Sequence, residues 1–219
     1  MKIEKELLFL PLGGAEEIGM NLNLYGFEEK WLMVDLGVAF GEDRLPGIDT
    51  IMPDPQFIVD RRKDLLGLVL THGHEDHLGA IKYLWPQLRC PIYATPFTAE
   101  LLHSKLSETN FRNEVGITKV SLGERFSVGP FDLEFISTTH SIPEPNAIAL
   151  RTALGTVVHT GDFKIDRQPL IGKTFDSGTL SRIGDEGVLA VVCDSTNVFE
   201  EKESGSESLL GDTFDKIIG

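Results

Sequence analysis

An apolar stretch that runs directly into a cluster of metal-binding residue types constrains this chain most. Residues 65–71 are almost entirely aliphatic, which is typical of a short buried β-strand. His72-Gly73-His74-Glu75-Asp76-His77 follows at once and places three imidazoles and two carboxylates within six residues. In α/β proteins, ligands bind beyond the carboxyl ends of the strands. The sequence therefore predicts a functional site at the end of this strand.

The residue types in the cluster indicate a metal site. Imidazole and carboxylate groups together suit Zn²⁺, with Mn²⁺ or Fe as alternatives. One tetrahedral ion cannot use so many adjacent donors, so the pattern favours two neighbouring ions. His140 and Asp162 each follow a predicted strand, at residues 131–137 and 156–159, and are the further candidate ligands. Either residue alone would more often belong to an ordinary turn, but their shared position after strands favours ligation.

Three other residues near these segments are expected to play lesser roles. His159 lies inside its predicted strand and is expected to be structural or to support a ligand. Asp35 ends a predicted strand and would orient a ligand imidazole or the loop that follows. His103 falls in a predicted helix without other ligand types nearby, so we expect a surface or packing role.

Strand-like segments dominate the rest of the chain and fall into two groups around the cluster. This arrangement predicts an α/β (α+β) protein with two mixed sheets and helices packed outside them. The predicted strands cover residues 7–12, 21–25, 31–35, 66–71, 92–94, 118–122, 124–128, 131–137, 147–152, 156–159 and 188–193, and the predicted helices cover 78–88, 98–106 and 209–218. Long loops are expected at 38–62 and 164–187, and an acidic linker at 199–208.

The composition is that of an ordinary globular protein and limits its partners. The net charge of −14 counts against a broad nucleic-acid-binding face, and two divalent ions would leave it at about −10. No apolar run approaches the ~20 residues that cross a bilayer, so no membrane segment is expected. The charged start, residues 1–6, does not resemble a signal peptide. Cys90 and Cys193 are expected to be reduced core residues, which places the chain in the cytoplasm.

The motifs together resemble those of a known superfamily. An aspartate after an early strand, His-x-His-x-Asp-His, a later histidine and a later aspartate are typical of metallo-β-lactamase-fold proteins; here they are Asp35, residues 72–77, His140 and Asp162. Four stretches resemble more narrowly the ribonuclease J family, in the β-CASP branch of that superfamily. They are residues 9–21 (FLPLGGAEEIGMN), 71–80 (THGHEDHLGA), 159–164 (HTGDFK) and 193–197 (CDSTN).

The resemblance implies a metallo-β-lactamase αββα sandwich that is incomplete here. In the family a final ligand histidine follows an inserted β-CASP domain, whereas no histidine follows His159 in this sequence. We therefore expect residues 1–198 to form the first part of the metallo-β-lactamase domain. Residues 199–219 would be a linker and the start of a helix leading into the missing β-CASP domain. On this basis the 219 residues alone are not expected to be fully active.

The resemblance also implies a zinc-dependent ribonuclease that cleaves single-stranded RNA internally and from the 5′ end. His72, His74 and His140 would hold one Zn²⁺. Asp76 and His77 would hold the second, whose final histidine is missing here, and Asp162 would bridge the two ions. Asp76 and His77 are also the candidate catalytic residues, and no substrate-binding residue is assigned. The family further implies a homo-oligomer at full length and a cytoplasmic location.

Two alternatives remain open at this stage. The first is a hydrolase of the same fold that acts on a small thioester or lactone, which would close with its own final histidine. The second is a non-catalytic scaffold module in an RNA-processing assembly, although the chain retains every ligand of the first half. Turnover of a small thioester without RNA cleavage would favour the first alternative. Stoichiometric RNA binding without metal-dependent turnover would favour the second.

Overall fold

A computed structural model describes residues 6–41 and 45–218. Three sequence predictions fall partly outside those ranges. The residues concerned are 1–5 of the charged start, 42–44 of the first predicted long loop and 219 of the segment predicted at 199–219.

The first sheet carries the strand that precedes the histidine cluster. Within the described residues it has six strands in the order β1-β2-β3-β6-β7-β8. The strands β1 to β3 pair antiparallel, whereas β3, β6, β7 and β8 run parallel to one another. A separate short pair, β4 and β5, lies between β3 and β6 in sequence. The bounds are β1 (Leu7–Gly13), β2 (Leu22–Phe27), β3 (Lys30–Val34), β4 (Ala39–Phe40), β5 (Thr50–Ile51), β6 (Leu65–Val69), β7 (Ile92–Ala94) and β8 (Ile117–Lys119).

The second sheet carries the strands that precede His140 and Asp162. It has five strands among the described residues, in the order β13-β12-β11-β10-β9. Strands β9 to β12 are antiparallel neighbours, and β13 joins β12 in parallel. The bounds are β9 (Arg125–Val128), β10 (Phe131–Ser137), β11 (Asn146–Thr152), β12 (Gly155–His159) and β13 (Ala190–Val192).

Six α-helices and one 3₁₀ helix connect these strands in the described part of the chain. They are α1 (Gln56–Val59), α2 (Glu75–Leu78), α3 (Ile81–Leu88), α4 (Pro96–Leu106), α5 (Ser177–Glu186), the 3₁₀ helix Glu207–Leu210 and α6 (Gly211–Ile218). Among the residues described, no helix combines the length and apolar character needed to cross a membrane.

Three hydrophobic clusters define the layers. The first joins one face of the first sheet to α1, α3 and α4, for example through Leu68, Ile81 and Leu102. The second fills the space between the two sheets and includes Phe135 of β10. The third packs α5, through Ile183, against the outer face of the second sheet. Because each sheet is covered by helices on its outer face, the expected four-layer αββα sandwich is confirmed.

Several boundaries differ from the sequence predictions. The predicted loop at 164–187 is wrong, because it contains α5. The helix predicted at 78–88 corresponds to α3, which begins only at Ile81, whereas Leu78 ends the separate short helix α2. The predicted loop at 38–62 contains β4, β5 and α1. The strand predicted at 118–122 is the shorter β8, and the chain turns at residues 122–123.

The last apolar segment is also less buried than its composition suggests. The strand predicted at 188–193 is reduced to β13, and Val191 is 58% exposed because β13 has a paired neighbour only in β12 among the described strands. Cys90 is buried as expected, but the expectation that Cys193 is a core residue is wrong, because it is exposed just beyond β13. Residues 200–206 form neither helix nor strand, in keeping with a linker, and the boundary at residue 198 stays a prediction.

Candidate metal centre

The histidine cluster lies where β6 ends and α2 begins. His72 is fully buried, and His77, in α2, is 3% exposed. His74 immediately precedes α2 in an extended backbone conformation, and its ring lies beside that of His140 from the loop after β10. His140 and Asp162 reach the cluster from the loops that follow β10 and β12. All six predicted metal ligands therefore come together at one edge of the sandwich.

Three imidazoles form the first group of candidate ligands. One nitrogen from each of His72, His74 and His140 lies within 4.8 Å of the others. His74 Nδ1 is 3.1 Å from His72 Nε2 and 3.2 Å from His140 Nε2. Nitrogens at the corners of a zinc tetrahedron are about 3.3 Å apart, given Zn–N distances near 2.0–2.1 Å. Three nitrogens at such separations fit one ion and leave a fourth position open.

A second group adjoins the first and shares His72 with it. The donor atoms of His72, His77 and Asp162 also lie within 4.8 Å of one another. Asp162 is 3.3 Å from His77 Nε2 through Oδ1, and 3.6 Å from His140 Nε2 through Oδ2. Its two oxygens therefore face one histidine of each group, as a bridging ligand requires. Asp76 lies outside both groups, but its Oδ2 is 3.5 Å from His77 Nε2.

Asp35 and Thr71 fix the orientation of two ligand rings from beneath. The buried carboxylate of Asp35 accepts hydrogen bonds from the Thr71 backbone N–H at 2.9 Å and from its hydroxyl at 2.8 Å. Its Oδ2 also lies 2.7 Å from His77 Nδ1, which therefore carries the proton. Because the Thr71 hydroxyl is donated to Asp35, its oxygen accepts from His72 Nδ1 at 3.0 Å. Both rings therefore direct Nε2 toward the site. At metal sites, a hydrogen bond to the other ring nitrogen commonly fixes a ligand histidine in this way.

The direction of the histidine pKa shifts differs among the histidines of the two groups of candidate ligands. Burial lowers the pKa of His72 well below its usual value, and the neighbouring histidines lower it further. Burial likewise lowers the pKa of His140. For His77, burial acts in the same direction, but Asp35 and Asp162 outweigh it and raise the pKa to about 10. Within the first group, His72 and His140 are therefore poised to bind a cation in the neutral form, whereas at His77 a cation would replace a proton.

Two glycines allow the backbone to approach the cluster closely. A Cβ on Gly37 would overlap the carbonyl oxygen of Asp76, so the loop after β3 can contact α2 only without a side chain there. Gly161 has a φ of +56°, and a Cβ on it would lie 2.8 Å from Cβ of Thr71. The loop after β3 therefore packs directly against α2, and the loop after β12 packs directly against Thr71, which precedes the histidine motif.

The loops that carry His140 and Asp162 are tied to each other. Lys164 N–H donates to the carbonyl oxygen of Thr139 at 2.8 Å, and the Thr139 hydroxyl donates to the carbonyl oxygen of Lys164 at 2.5 Å. The hydroxyl oxygen of Thr139 also accepts from Asp166 N–H at 3.1 Å. The relative position of the two ligand loops is thus set by reciprocal hydrogen bonds.

The two remaining histidines, His159 and His103, lie outside the donor groups and differ in their environment. His159 is buried, and its Nδ1 shares a hydrogen bond of 2.9 Å with the hydroxyl of Tyr25, across the interface between the sheets. The described hydrogen bonds therefore give it a structural role, while Asp35 is the residue that contacts a ligand. His103 is exposed on α4, as expected.

Sequence reasoning overlooked two polar residues beside the ligands. Thr71 acts through its hydroxyl, as described above. Asn21 Nδ2 donates to the backbone oxygen of Asp76 at 3.0 Å and lies 3.3 Å from His77 Nε2. Thr71 precedes the motif directly, but its partner Asp35 is distant in sequence. Asn21 ends the family-like stretch at residues 9–21, but its contact with the motif depends on residues more than 50 positions later in the sequence.

The second group opens into a cleft of about 550 Å³. One wall is the turn at residues 14–19, and the opposite wall is the segment at residues 193–196 that follows β13. Asp76, His77 and Asp162 line its floor. The carboxylates of Asp76 and Asp162, whose side chains are 32% and 31% exposed, are therefore accessible from solvent through this cleft.

Comparison with known proteins agrees with this geometry. Residues 21–187 match the family model described as "Metallo-beta-lactamase superfamily". The chain is 50% identical, over its full length, to a protein named "Ribonuclease J" from Sinorhizobium meliloti and covers 39% of that relative. It is 37% identical to a "Ribonuclease J" from Thermus thermophilus, with 96% of this chain and 38% of the relative covered. The resemblance to the ribonuclease J family is thus confirmed, and the chain spans less than two-fifths of these relatives.

A solved structure supports the fold independently. A protein of unknown function from Enterococcus faecalis V583 superimposes with a TM-score of 0.69 at 17% identity, over 97% of this chain and 57% of that one. The match to the family model, at residues 21–187, covers most of the chain and contains all six clustered residues and most strands of both sheets. The chain therefore belongs to the metallo-β-lactamase superfamily.

Proposed function

We propose that this chain provides metal ligands of a ribonuclease that hydrolyses RNA phosphodiester bonds. The observation that carries the proposal is the pair of overlapping donor groups joined by His72 and Asp162, at the floor of an open cleft. The identity to proteins named ribonuclease J supports RNA as the substrate. Cleavage both within the RNA and from its 5′ end, single-stranded RNA as partner, a homo-oligomeric full-length protein and a cytoplasmic location are parts of the same proposal.

The donor set suits divalent ions, and we propose Zn²⁺, with Mn²⁺ as the alternative. His72, His74 and His140 would hold one ion, and His77 with Asp76 would contribute to a second, with Asp162 between them. When bound, such ions supply Lewis acidity, which polarises a phosphoryl oxygen and acidifies water. No histidine follows His159, so a further imidazole ligand for the second ion would come from outside these 219 residues.

The chain's own residues have separate tasks in this proposal. Asp35 keeps a proton on Nδ1 of His77, and through Thr71 it keeps a proton on Nδ1 of His72. The Nε2 atoms of both rings are therefore the ones that would bind a metal ion. The half-exposed carboxylate of Asp76 is at the floor of the cleft, where it can accept a proton from attacking water or orient it. The walls of the cleft restrict the path of the substrate strand.

The two alternative functions receive less support. The two sequence relatives reported above are named ribonuclease J, which does not favour a hydrolase of a small thioester or lactone. A non-catalytic scaffold module would have no need for six clustered residues of ligand type, of which His72 and His77 are held in orientation by hydrogen bonds.

The direct test is replacement of His74 in the intact protein. His74→Ala removes the nitrogen nearest to both His72 and His140, so we expect loss of zinc from the first site and at least a 100-fold loss of RNA cleavage. Metal content is measured by elemental analysis, and cleavage with a 5′-labelled single-stranded RNA.

His103→Ala is the matched control, because His103 is exposed on α4 and outside the donor groups. It should retain both metal and activity. Cleavage by His74→Ala at the rate of the unsubstituted protein would reject the proposal.

A further inference from the structure

The loop that carries His140 contains a residue in an unfavourable backbone conformation. Glu144 has a φ of +55°, which is uncommon for a residue with a side chain. It lies between Pro143 and Pro145, which restrict the backbone on both sides. The loop is closed at its base by a hydrogen bond from Thr138 N–H to the carbonyl oxygen of Pro145. Contacts elsewhere must hold Glu144 in place.

Those contacts are with the N-terminus of α4. The Glu144 carboxylate accepts a hydrogen bond from Phe97 N–H in the first turn of α4, at 2.8 Å. The hydroxyl of Thr95 donates to the backbone oxygen of Glu144 at 3.4 Å. Thr95 is the N-cap of α4 but makes no capping hydrogen bond with its own side chain. Glu144 therefore caps α4 from a loop 47 residues away in sequence, and a carboxylate is favoured there by the helix dipole.

The same helix supports the histidine motif. Two methyl groups pack against Gly73: one from Leu101 in α4 and one from Ile142 in the His140 loop. A Cβ added to Gly73 would lie 2.6 Å from the Leu101 methyl carbon and 3.2 Å from that of Ile142. Lys105, near the end of α4, pairs with Glu75 in α2. The helix α4 is thus a common support: it contacts the motif at Gly73 and Glu75 and the His140 loop at Glu144.

We propose that Glu144 is a positioning residue that sets His140 relative to His72 and His74 by anchoring the His140 loop to α4. This inference rests on the proposed metal site. Glu144 touches none of the donor atoms; its effect on metal binding passes through the geometry of His140.

The test is the zinc affinity of the intact protein, measured by competition with a chromophoric chelator. Glu144→Ala should weaken the tighter zinc site about tenfold, at the lower end of the range for residues that orient ligands. Glu144→Gln should restore most of that affinity, because its amide oxygen can accept the same hydrogen bond from Phe97. The matched control is Glu100→Ala, which removes an exposed carboxylate from α4 itself and should leave the affinity unchanged.

A double-mutant cycle with His140→Ala separates positioning from general stability. The His140→Ala protein retains the group of His72, His77 and Asp162, whose zinc affinity is the baseline. Adding Glu144→Ala to it should cause no further loss, because the residue to be positioned is gone. The inference would be overturned if Glu144→Ala lowered the zinc affinity equally in the unsubstituted protein and in the His140→Ala protein. It would also be overturned if Glu144→Ala alone left the zinc affinity unchanged. Absence of zinc binding by the unsubstituted protein would reject the proposed function itself.

Discussion

His159 shows how a residue within a ligand-rich region can be structural. Its ring is buried between the two sheets and hydrogen-bonded to Tyr25. Burial lowers its pKa to about 4. In the unfolded chain a histidine titrates near 6.5. Between these values the unfolded state binds a proton that the folded state does not, so the folded state loses stability as the pH falls from about 6.5 to 4.

We therefore predict that replacing His159 flattens the acid dependence of stability. In the metal-free protein, His159→Gln should make the free energy of unfolding fall less between pH 6.5 and 4 than it does in the unsubstituted protein. Urea denaturation at a series of pH values measures this. Tyr25→Phe is the control: it should lower stability by about 1 kcal/mol through the lost hydrogen bond but keep the pH dependence. An equally steep dependence in His159→Gln would contradict the assignment.

At the level of single residues, the sequence was informative where neighbours in the chain act together. His72, His74, Asp76 and His77 share one short segment, so their common role could be predicted from spacing alone. His140 and Asp162 were identified because they follow strands. The hydroxyl of Thr71 could not be assigned, because its function depends on Asp35, which the parallel pairing of β3 and β6 brings alongside.

Among the elements, α5 shows what periodicity misses. Its sequence has glycines at 178 and 184 and is polar overall, so the helical spacing of the two residues that contact the third hydrophobic cluster, Leu180 and Ile183, is easily overlooked. Polar contacts hold it instead. Asp176 caps its N-terminus by accepting from Thr179 N–H at 2.9 Å. Arg182 donates to the buried carboxylate of Glu134 at 2.6 Å.

Glu134 links this helix to the second sheet, so its removal should be costly. It also accepts from Arg151 at 2.6 Å, and Arg151 is itself largely buried. Glu134→Ala leaves that guanidinium with the more distant carboxylate of Glu186, at 3.8 Å, as its partner, and we expect a loss of about 3 kcal/mol in the free energy of unfolding. Chemical denaturation followed by circular dichroism provides the measurement.

The exposed ion pair of Arg125 and Asp132 on the same sheet is the comparison for Glu134. Arg125→Ala should cost less than about 1 kcal/mol, because exposed pairs contribute little. Similar losses in Glu134→Ala and Arg125→Ala would contradict a specific role of Glu134 in docking α5.

For the whole molecule, the layer architecture followed from the sequence but the strand order did not. Two groups of strands with outer helices were expected and are found. The order β1-β2-β3-β6-β7-β8 depends on which strands meet in space, and short apolar strands such as β7 carry no information about their neighbours. The exposure of Cys193 was missed for a related reason: an apolar composition does not show that β13 lies at a sheet edge.

The net charge of −14 leads to a prediction about RNA binding. With few cations to contact phosphates, binding of single-stranded RNA by this chain should depend weakly on salt. Each neutralised phosphate contributes about −0.7 to the slope of log affinity against log salt, so we expect a slope shallower than about −1.4. Fluorescence anisotropy with a labelled oligonucleotide measures it. A slope steeper than about −4 would indicate an extended cationic surface and contradict this expectation.

The reciprocal hydrogen bonds between Thr139 and Lys164 have a consequence for how the centre captures an ion. Two donors on independent loops would each have to be immobilised when the ion arrives, at a cost in conformational entropy. Here the imidazole of His140 and the carboxylate of Asp162 belong to one rigid frame, so that entropy is already lost during folding. The centre is therefore preorganised, and capture of the ion requires little rearrangement of the backbone.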